Sequence, residues 1–357
     1  MASPLRIVIL GLSITSAWGN GHATTYRGLL RAFGARGHEV LFLERDVPWY
    51  AANRDLWTHP AVRVELYSSL EELRERFDAE VRHADLVMVG SYVPEGVAVG
   101  EWVTATARGI TAFYDIDTPV TLAKLARGDY EYLSPALIRR YDLYLSFTGG
   151  PTLERLERQY GAFRARPLYC AVDPHLYYPE CREERWELGY LGTYSPDRQS
   201  TLEALLIEPA RRWARGGFVV AGPLYPPSIT WPANVQRIEH LPPTEHRAFY
   251  NAQRFTLNIT RADMRRTGYS PSVRLFEAAA CGTPIISDYW EGLERFFAPG
   301  KEILIARTPQ ETLHCLRELP EADCAALGAV ARARVLAEHT TAHRAAELEG
   351  YIRDLQP

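Results

Sequence analysis

The feature that most constrains the fold of this chain is a regular alternation of short apolar runs with segments of helical periodicity. The first apolar runs are residues 6–10 and 39–43, and a helical pattern at 24–36 separates them. Short runs rich in Val, Ile and Leu are typical of strands buried on both faces, whereas the segment between them has a single apolar face. Repeated strand–helix–strand units predict a parallel sheet and an α/β protein.

The alternation runs through the chain twice, and a proline-containing segment at 166–184 interrupts it. At roughly 150 residues per domain, a chain of 357 residues is expected to form two domains. We therefore predict two Rossmann-like domains, residues 1–168 and 186–338, joined by a linker at 169–185. A last helix, within 339–357, is able to pack back on the first domain.

Composition excludes several classes of protein. The net charge of -4 gives no global basic field, so no nucleic-acid partner is expected. The 5 cysteines are odd in number and none is spaced C-x-x-C, which argues against a disulfide framework or a zinc site and favours a cytoplasmic location. No stretch approaches the roughly 20 apolar residues of a membrane span, so no transmembrane segment is expected.

One stretch of the second half, residues 268–288, combines a helix start with chemically useful side chains. Ser270 is a good N-cap residue and Pro271 suits the first helical position, which predicts a helix that begins there. The helix start, Ser270, Ser272 and Arg274 are suited to an anion, and the Glu277 carboxylate could accept two hydrogen bonds from a vicinal diol such as a ribose. The alternative is a surface ion pair between Arg274 and Glu277.

The first half carries polar residues at the ends of predicted strands. After the first strand come Trp18, Asn20, Gly21 and His22, but the glycines of this loop do not form G-x-G-x-x-G, so a dinucleotide site is weakly indicated. His22, at a helix start, could be a base, a sugar contact or a capping residue.

Two carboxylates, Asp115 and Asp117, follow another buried strand. An Asp-x-Asp pair holds a divalent metal and a donor diphosphate in one class of glycosyltransferase. Alternatively, one of the two aspartates caps the following helix. A single Asp-x-Asp does not decide between these interpretations.

Two Rossmann-like halves joined by a linker such as 172–179 resemble a GT-B glycosyltransferase of the retaining, nucleotide-sugar-dependent kind. The match is closer to the CgeB-like branch, named for a spore-maturation protein. The residues that carry this resemblance are W-G-N-G-H at 18–22, D-I-D-T-P at 115–119, S-P-S-V-R-L-F-E at 270–277 and F-A-P-G-K-E at 297–302. The resemblance covers nearly the whole chain, and the C-terminal block is its most specific part.

The resemblance implies two parallel sheets that face each other across a cleft, with the donor bound by the second domain. Glu277 occupies the position of the family glutamate that binds the donor ribose. The retaining family carries another glutamate eight positions earlier, which contacts the donor sugar. This chain has Tyr269 at that position, so this sugar contact does not carry over. The expected donor-binding residues are Glu277, Arg274, Ser270, Ser272, Arg198, Arg261 and Tyr269.

In the first domain the expected catalytic residues are His22, Asp115 and Asp117, any of which could orient a hydroxyl or act as a base. Trp18, Asn20 and Gly21 are expected to contact the acceptor or the sugar. Because arginines can neutralise the leaving diphosphate, we expect no metal and no cofactor.

The predicted function is metal-independent, retaining transfer of a hexose-type sugar from a nucleotide-diphosphate sugar, with a UDP-sugar as co-substrate, to an unknown hydroxyl acceptor. Synthesis of a bacterial glycan or glycoconjugate would be its setting. Two alternatives remain open: a nucleotide-sugar epimerase on the same fold, and a non-catalytic nucleotide-sugar-binding scaffold. The oligomeric state is not predicted.

Overall fold

A computed structural model describes residues 4–55 and 58–355. The chain divides into two compact units, of which unit 1 comprises Met1–Cys170 and Thr341–Pro357 and unit 2 comprises Ala171–Thr340. Each unit is built on its own parallel sheet with helices between the strands, which confirms the predicted α/β class.

The sheet of unit 1 has seven strands in the order β3-β2-β1-β4-β5-β6-β7, and every pairing is parallel. The central strands are buried along nearly their whole length, as expected for a sheet covered on both faces. The strands are β1 (Arg6–Gly11), β2 (Glu39–Arg45), β3 (Val62–Tyr67), β4 (Leu86–Gly90), β5 (Ile110–Asp115), β6 (Leu143–Ser146) and β7 (Ala165–Pro167).

Seven helices follow these strands in unit 1. The first begins three residues earlier than predicted because the side chain of Asn20 accepts the N–H of His22 and so caps it. The helices are α1 (Gly21–Ala35), α2 (Pro48–Ala51), α3 (Leu70–His83), α4 (Gly96–Thr106), α5 (Thr118–Ala126), α6 (Pro135–Ile138) and α7 (Pro151–Arg158).

The sheet of unit 2 has six parallel strands in the order β10-β9-β8-β11-β12-β13. These are β8 (Trp186–Leu191), β9 (Phe218–Ala221), β10 (Val235–Ile238), β11 (Gln253–Asn258), β12 (Ile285–Ser287) and β13 (Leu304–Ile305). The helices are α8 (Pro196–Leu202), α9 (Glu208–Arg212), α10 (Pro243–Asn251), α11 (Ala262–Thr267), α12 (Val273–Ala280), α13 (Pro309–Glu318) and α14 (Glu321–Glu338). A π-helical turn, Glu203–Ile207, joins α8 to α9, and Leu293–Arg295 forms a 3₁₀ turn.

The last helix, α15 (Thr341–Arg353), belongs to unit 1 and packs on α1. Close approach is possible because α1 has a glycine at position 28, where a Cβ atom would come within 2.6 Å of the Thr341 side chain. Glu349 of α15 also forms ion pairs with Arg36 and His38. The C-terminal helix therefore completes the unit that the N-terminal segment begins.

The start of α12 differs from the prediction. The helix begins at Val273 with Ser272 as its N-cap residue, not at Ser270 and Pro271. Tyr269, immediately before this stretch, has a positive φ of 49°, which is uncommon for a residue other than glycine. Once formed, α12 is buried on all sides from Arg274 to Ala280.

Candidate functional site

Each sheet reverses its strand order at one point, between β1 and β4 in unit 1 and between β8 and β11 in unit 2. In open parallel sheets, ligands bind outside the carboxyl ends of the strands at such a point. Many of the predicted site residues follow these strands or their neighbours. They form a unit 1 cluster (His22, Tyr92, Asp117) and a unit 2 cluster (Arg198, Arg261, Tyr269, Arg274, Glu277).

Arg274, on the first turn of α12, is buried at the carboxyl ends of β8 and β11. Its Nε donates to the Leu191 carbonyl at 2.6 Å and its Nη1 donates to the Asn258 side-chain oxygen at 2.9 Å. The guanidinium also lies 4.8 Å from the centroid of the Tyr190 ring. Within the described part of the chain, no carboxylate lies at salt-bridge distance from Arg274, so the alternative of an ion pair with Glu277 is not realised. A buried cation that makes no direct ion pair favours an anionic ligand.

Arg198 lies in the first turn of α8, which follows β8, and Arg261 is the N-cap residue of α11, which follows β11. Asp197, next to Arg198, accepts the N–H of Ala262 at 2.7 Å, which ties the starts of α8 and α11 together. Burial opposes ionisation of Asp197, but the hydrogen bonds from Ser195 and Ala262 and the charges of Arg261 and Arg198 outweigh it and lower its pKa. Arg274 lies at the same edge, so three guanidinium groups follow neighbouring strands of this sheet. Guanidinium groups and the N–H groups of helix starts are suited to a diphosphate.

Glu277 lies one turn along α12 from Arg274 and is only 4% exposed. The Tyr250 hydroxyl donates to its Oε2 at 3.0 Å. The Tyr177 ring packs on Tyr250, and the charge of Glu277 contributes to raising the pKa of the Tyr177 hydroxyl. Both tyrosines are neutral, so neither cancels the charge of Glu277. This arrangement leaves a fixed anionic acceptor available to further hydroxyl donors.

Tyr269 stands on strained backbone before α12. Its N–H donates to the Glu291 carbonyl at 2.7 Å, and its ring packs so closely on residue 292 that a Cβ there would come within 2.4 Å of the ring. Position 292 must therefore be glycine. Left-handed backbone at a non-glycine residue costs on the order of 1 kcal/mol and concentrates at functional sites. Ser270 is buried, and Ser272 accepts a long hydrogen bond from Arg274 at 3.4 Å.

Asp288, directly after β12, is a buried carboxylate that the sequence analysis did not single out. It accepts the N–H of Thr260 at 3.1 Å and the Thr260 hydroxyl at 2.8 Å, which fixes the loop that carries Arg261. Burial raises its pKa to about 6 against the opposing effect of these bonds. Its position after a buried strand is the signal that drew attention to Asp115, so it could have been found.

In unit 1, His22 lies at the start of α1 and approaches Asp117. Its Nε2 is 3.9 Å from the Asp117 Oδ2, and its ring meets the edge of the Tyr92 ring at a centroid distance of 5.4 Å. The Nδ1 atom is buried and has no hydrogen-bond partner among the described residues. His22 and Asp117 both keep some solvent exposure, so this pair can meet a ligand.

Tyr92 is a member of the unit 1 cluster that sequence reasoning missed. Its hydroxyl donates to Asp117 Oδ2 at 3.3 Å, and its ring packs on Tyr132 with centroids 4.7 Å apart. Its backbone has a positive φ of 64°. Burial, followed by the Asp117 charge, raises the pKa of the Tyr92 hydroxyl, so this group stays a proton donor at neutral pH. Strained backbone two residues after β4 is not visible in a sequence.

Asp115 does not have the exposure that a catalytic group requires. It is fully buried, and its carboxylate accepts hydroxyl hydrogen bonds from Tyr144 at 2.5 Å and Thr121 at 2.7 Å. Its Oδ1 also accepts the N–H of Asp117 at 3.3 Å. Burial raises its pKa to about 6. We therefore assign Asp115 the role of holding the loop that presents Asp117, and not contact with a substrate. Asp117 precedes α5, but its side chain makes no capping hydrogen bond.

The other residues of the first loop have mixed environments. Asn20 is buried, and its amide donates to the Ser13 and Ser16 carbonyls in addition to capping α1, so its role is to hold the loop. Trp18 packs edge-on against Trp49 at 4.6 Å, and Gly21 has open space around it. Trp18 and Gly21 thus remain able to contact a ligand.

Within residues 4–55 and 58–355, no group of three His, Cys, Asp or Glu side chains is placed to hold a metal ion. Over the same ranges, no helix combines the length and apolar character needed to cross a membrane. Of the five cysteines, Cys181 is exposed and the other four are buried.

Several solved structures share this fold along nearly the entire chain. Sucrose-phosphate synthase from Thermosynechococcus elongatus is 16% identical with a TM-score of 0.71, and 98% of this chain aligns with 99% of that one. HepE of Anabaena, in complex with UDP and glucose, is 13% identical with a TM-score of 0.72, and an alpha-glucosyltransferase in complex with UDP-glucose and DNA is 14% identical with a TM-score of 0.74. For both, 98% of this chain aligns with 100% of the other. The chain has the GT-B fold.

Residues 198–350 match the sequence model of a family described as glycosyl transferase-like. The matched segment includes Arg198, Arg261, Arg274 and Glu277 of the unit 2 cluster. No curated protein matches the sequence. The predicted resemblance to GT-B glycosyltransferases is thus confirmed for the fold, while the CgeB-like branch stays a prediction.

Proposed function

We propose that the protein is a glycosyltransferase that moves a sugar from a UDP-sugar to a hydroxyl acceptor. The observation that carries this proposal is that a buried carboxylate, Glu277, and a buried guanidinium, Arg274, lie one turn apart on α12 without forming an ion pair with each other. The carboxylate is suited to the vicinal diol of a ribose and the guanidinium to a diphosphate. The glycosyl transferase-like sequence of this segment and the UDP in HepE support the same choice of donor.

The proposed reaction breaks the bond between the anomeric carbon and the diphosphate oxygen and forms one to the acceptor oxygen. Negative charge grows on the departing diphosphate, so groups that stabilise it in place lower the barrier. Arg198, Arg261 and Arg274, with the free N–H groups at the start of α12, are the groups we assign to this role. Because they supply positive charge directly, we propose that no divalent metal is required.

In unit 1 we propose that the acceptor hydroxyl binds at Asp117, which has His22 and Tyr92 beside it. Asp117 would accept the hydroxyl proton as the acceptor oxygen bonds to the sugar. The proposed outcome is retention at the anomeric carbon, as in the retaining family that the sequence resembles, so the acceptor oxygen attacks the face from which the diphosphate leaves. Tyr269, where that family carries a glutamate, is the feature that most directly calls for a stereochemical measurement.

A thermal-shift screen against UDP-, GDP- and dTDP-sugars tests the donor. A ligand that binds only the folded state stabilises it, by about 2.7 kcal/mol at a concentration 100 times its dissociation constant. We expect UDP-sugars to raise the melting temperature more than the other two sets. Stabilisation by none of them would overturn the donor assignment.

A transfer assay then tests the reaction with saccharide, protein and DNA acceptors. Transfer should continue in EDTA, and loss of activity restored by manganese would contradict the metal-free proposal. DNA is included because the alpha-glucosyltransferase was solved with it, and transfer to DNA would contradict the expectation of no nucleic-acid partner. Donor binding without transfer to any acceptor would support the alternative of a non-catalytic scaffold. That alternative is made plausible by Tyr269, which stands where the retaining family carries a glutamate.

A further inference from the structure

Two buried phenols converge on the carboxylate of Glu277. Tyr250 is fully buried and Tyr177 is 4% exposed, and their ring centroids lie 6.4 Å apart at an interplanar angle of 55°. Burial, followed by the charge of Glu277, raises the pKa of both hydroxyls well above the ordinary tyrosine value. Both phenols therefore stay protonated throughout the neutral pH range, and Tyr250 donates to the Glu277 Oε2 at 3.0 Å.

The backbone on both sides of Tyr177 is fixed by side chains of α10, the helix that carries Tyr250. Arg247 donates to the Leu176 carbonyl at 3.2 Å, and Asn251 donates to the Tyr178 carbonyl at 3.1 Å. The N–H of Glu180 donates to Asn251 at 2.7 Å, and the Glu180 carboxylate pairs with Arg247 at 2.7 Å. One helix thus supplies the first phenol directly and holds the segment that supplies the second.

We propose that Tyr177 and Tyr250 are positioning residues that hold Glu277 in the orientation needed to bind a ribose diol. This inference rests on the proposed function and adds to it a basis for selecting ribonucleotides over deoxyribonucleotides. An ionised carboxylate offers about four lone-pair sites. The Tyr250 hydroxyl occupies one of these sites, and Tyr177 packs beside it. Together they restrict rotation of the carboxylate, so the remaining sites face a fixed direction. Only a ligand with both ribose hydroxyls uses them fully.

The test compares UDP with 2′-deoxy-UDP, each titrated by calorimetry against the wild type and the variants Tyr250→Phe and Tyr177→Phe. The wild type should bind UDP about tenfold more tightly than the deoxy analogue, which corresponds to about 1.4 kcal/mol. In each variant this ratio should fall at least threefold, because a less restrained carboxylate gains less from the second hydroxyl. A merely structural role would weaken both ligands equally and leave the ratio unchanged.

Tyr141→Phe is the matched control, because the Tyr141 hydroxyl is also buried but has no partner among the described residues. The control should keep the wild-type ratio. If the wild type discriminates and both variants discriminate equally well, the positioning role is overturned and the proposed function stands. If the wild type binds both nucleotides equally, the ribose assignment of Glu277 itself fails. Each variant loses one hydroxyl. If one variant does not fold, the ratio measured for the other variant still tests the positioning role.

Discussion

Three carboxylates show how surroundings decide the role of a residue. Asp115 and Glu277 are both buried and both accept tyrosine hydroxyls, but Asp115 is enclosed by its own loop whereas Glu277 lies in the cluster that contains Arg274. Asp117 is partly exposed and has His22 and Tyr92 beside it. Of the three, Asp117 has the exposure that proton transfer with an acceptor requires, and Glu277 has the fixed geometry that donor binding requires.

The variant Asp117→Asn tests the assigned base. Loss of a general base typically costs 10²–10⁴-fold in rate, so we expect turnover to fall by roughly 100-fold or more. The melting temperature should change little, because asparagine keeps a side-chain oxygen that can accept the Tyr92 hydroxyl and the Asp117 side chain does not cap α5. The control is Asp78→Asn, which removes a carboxylate of an exposed ion pair on α3. Unchanged turnover in a folded Asp117→Asn protein would remove this residue from the reaction.

At this scale the sequence predicted Glu277, Arg274 and Asp117, because each follows a recognisable helix or strand signal. It could not predict Tyr250 and Tyr177 as partners of Glu277. These two residues come from different elements, and only the folded backbone brings them to the same carboxylate.

Among the elements, α12 and α15 show the limits of local signals. The serine and proline before α12 resemble a helix start, yet the helix begins two residues later, at Val273. Helix α15 is placed by ion pairs from Glu349 to Arg36 and His38, which are more than 300 residues away in sequence. Pairings at such separation are set by tertiary structure and not by local pattern.

The variant Glu349→Gln tests how α15 is held. The hydrogen bond from Arg36, with that from His38, lowers the pKa of Glu349 to about 2 from the ordinary value of 4.5. We expect a loss of about 2 kcal/mol in the free energy of unfolding at pH 7, the usual worth of hydrogen bonds to a charged group. Urea unfolding at several pH values measures this loss.

The pH dependence follows from the lowered pKa. The stabilisation by Glu349 is complete above about pH 4.5 and is lost as the pH falls to about 2, because the unfolded chain takes up the proton first. The difference between wild type and Glu349→Gln should therefore shrink over this interval. A difference that stays constant would contradict the assigned ion pair. Glu80→Gln, from a more exposed pair with Arg63, should show a smaller effect.

For the whole molecule, the repeated alternation of strands and helices was sufficient to predict two α/β halves with parallel sheets. The order of strands within each sheet was not predictable from alternation alone, yet this order places both clusters at a switch point. Sequence pattern thus predicts which elements form, while the site depends on how the sheet arranges them.

The central claim is that unit 2 binds the ribose and diphosphate of a sugar donor through Glu277 and its arginines. The most direct test is calorimetric titration of UDP into the wild type and Glu277→Ala, with the exposed Glu245→Ala on the neighbouring helix α10 as a control. We predict that Glu277→Ala weakens binding at least tenfold, or about 1.4 kcal/mol, and that the control binds as the wild type does. Equal affinity of wild type and a folded Glu277→Ala protein would contradict the account.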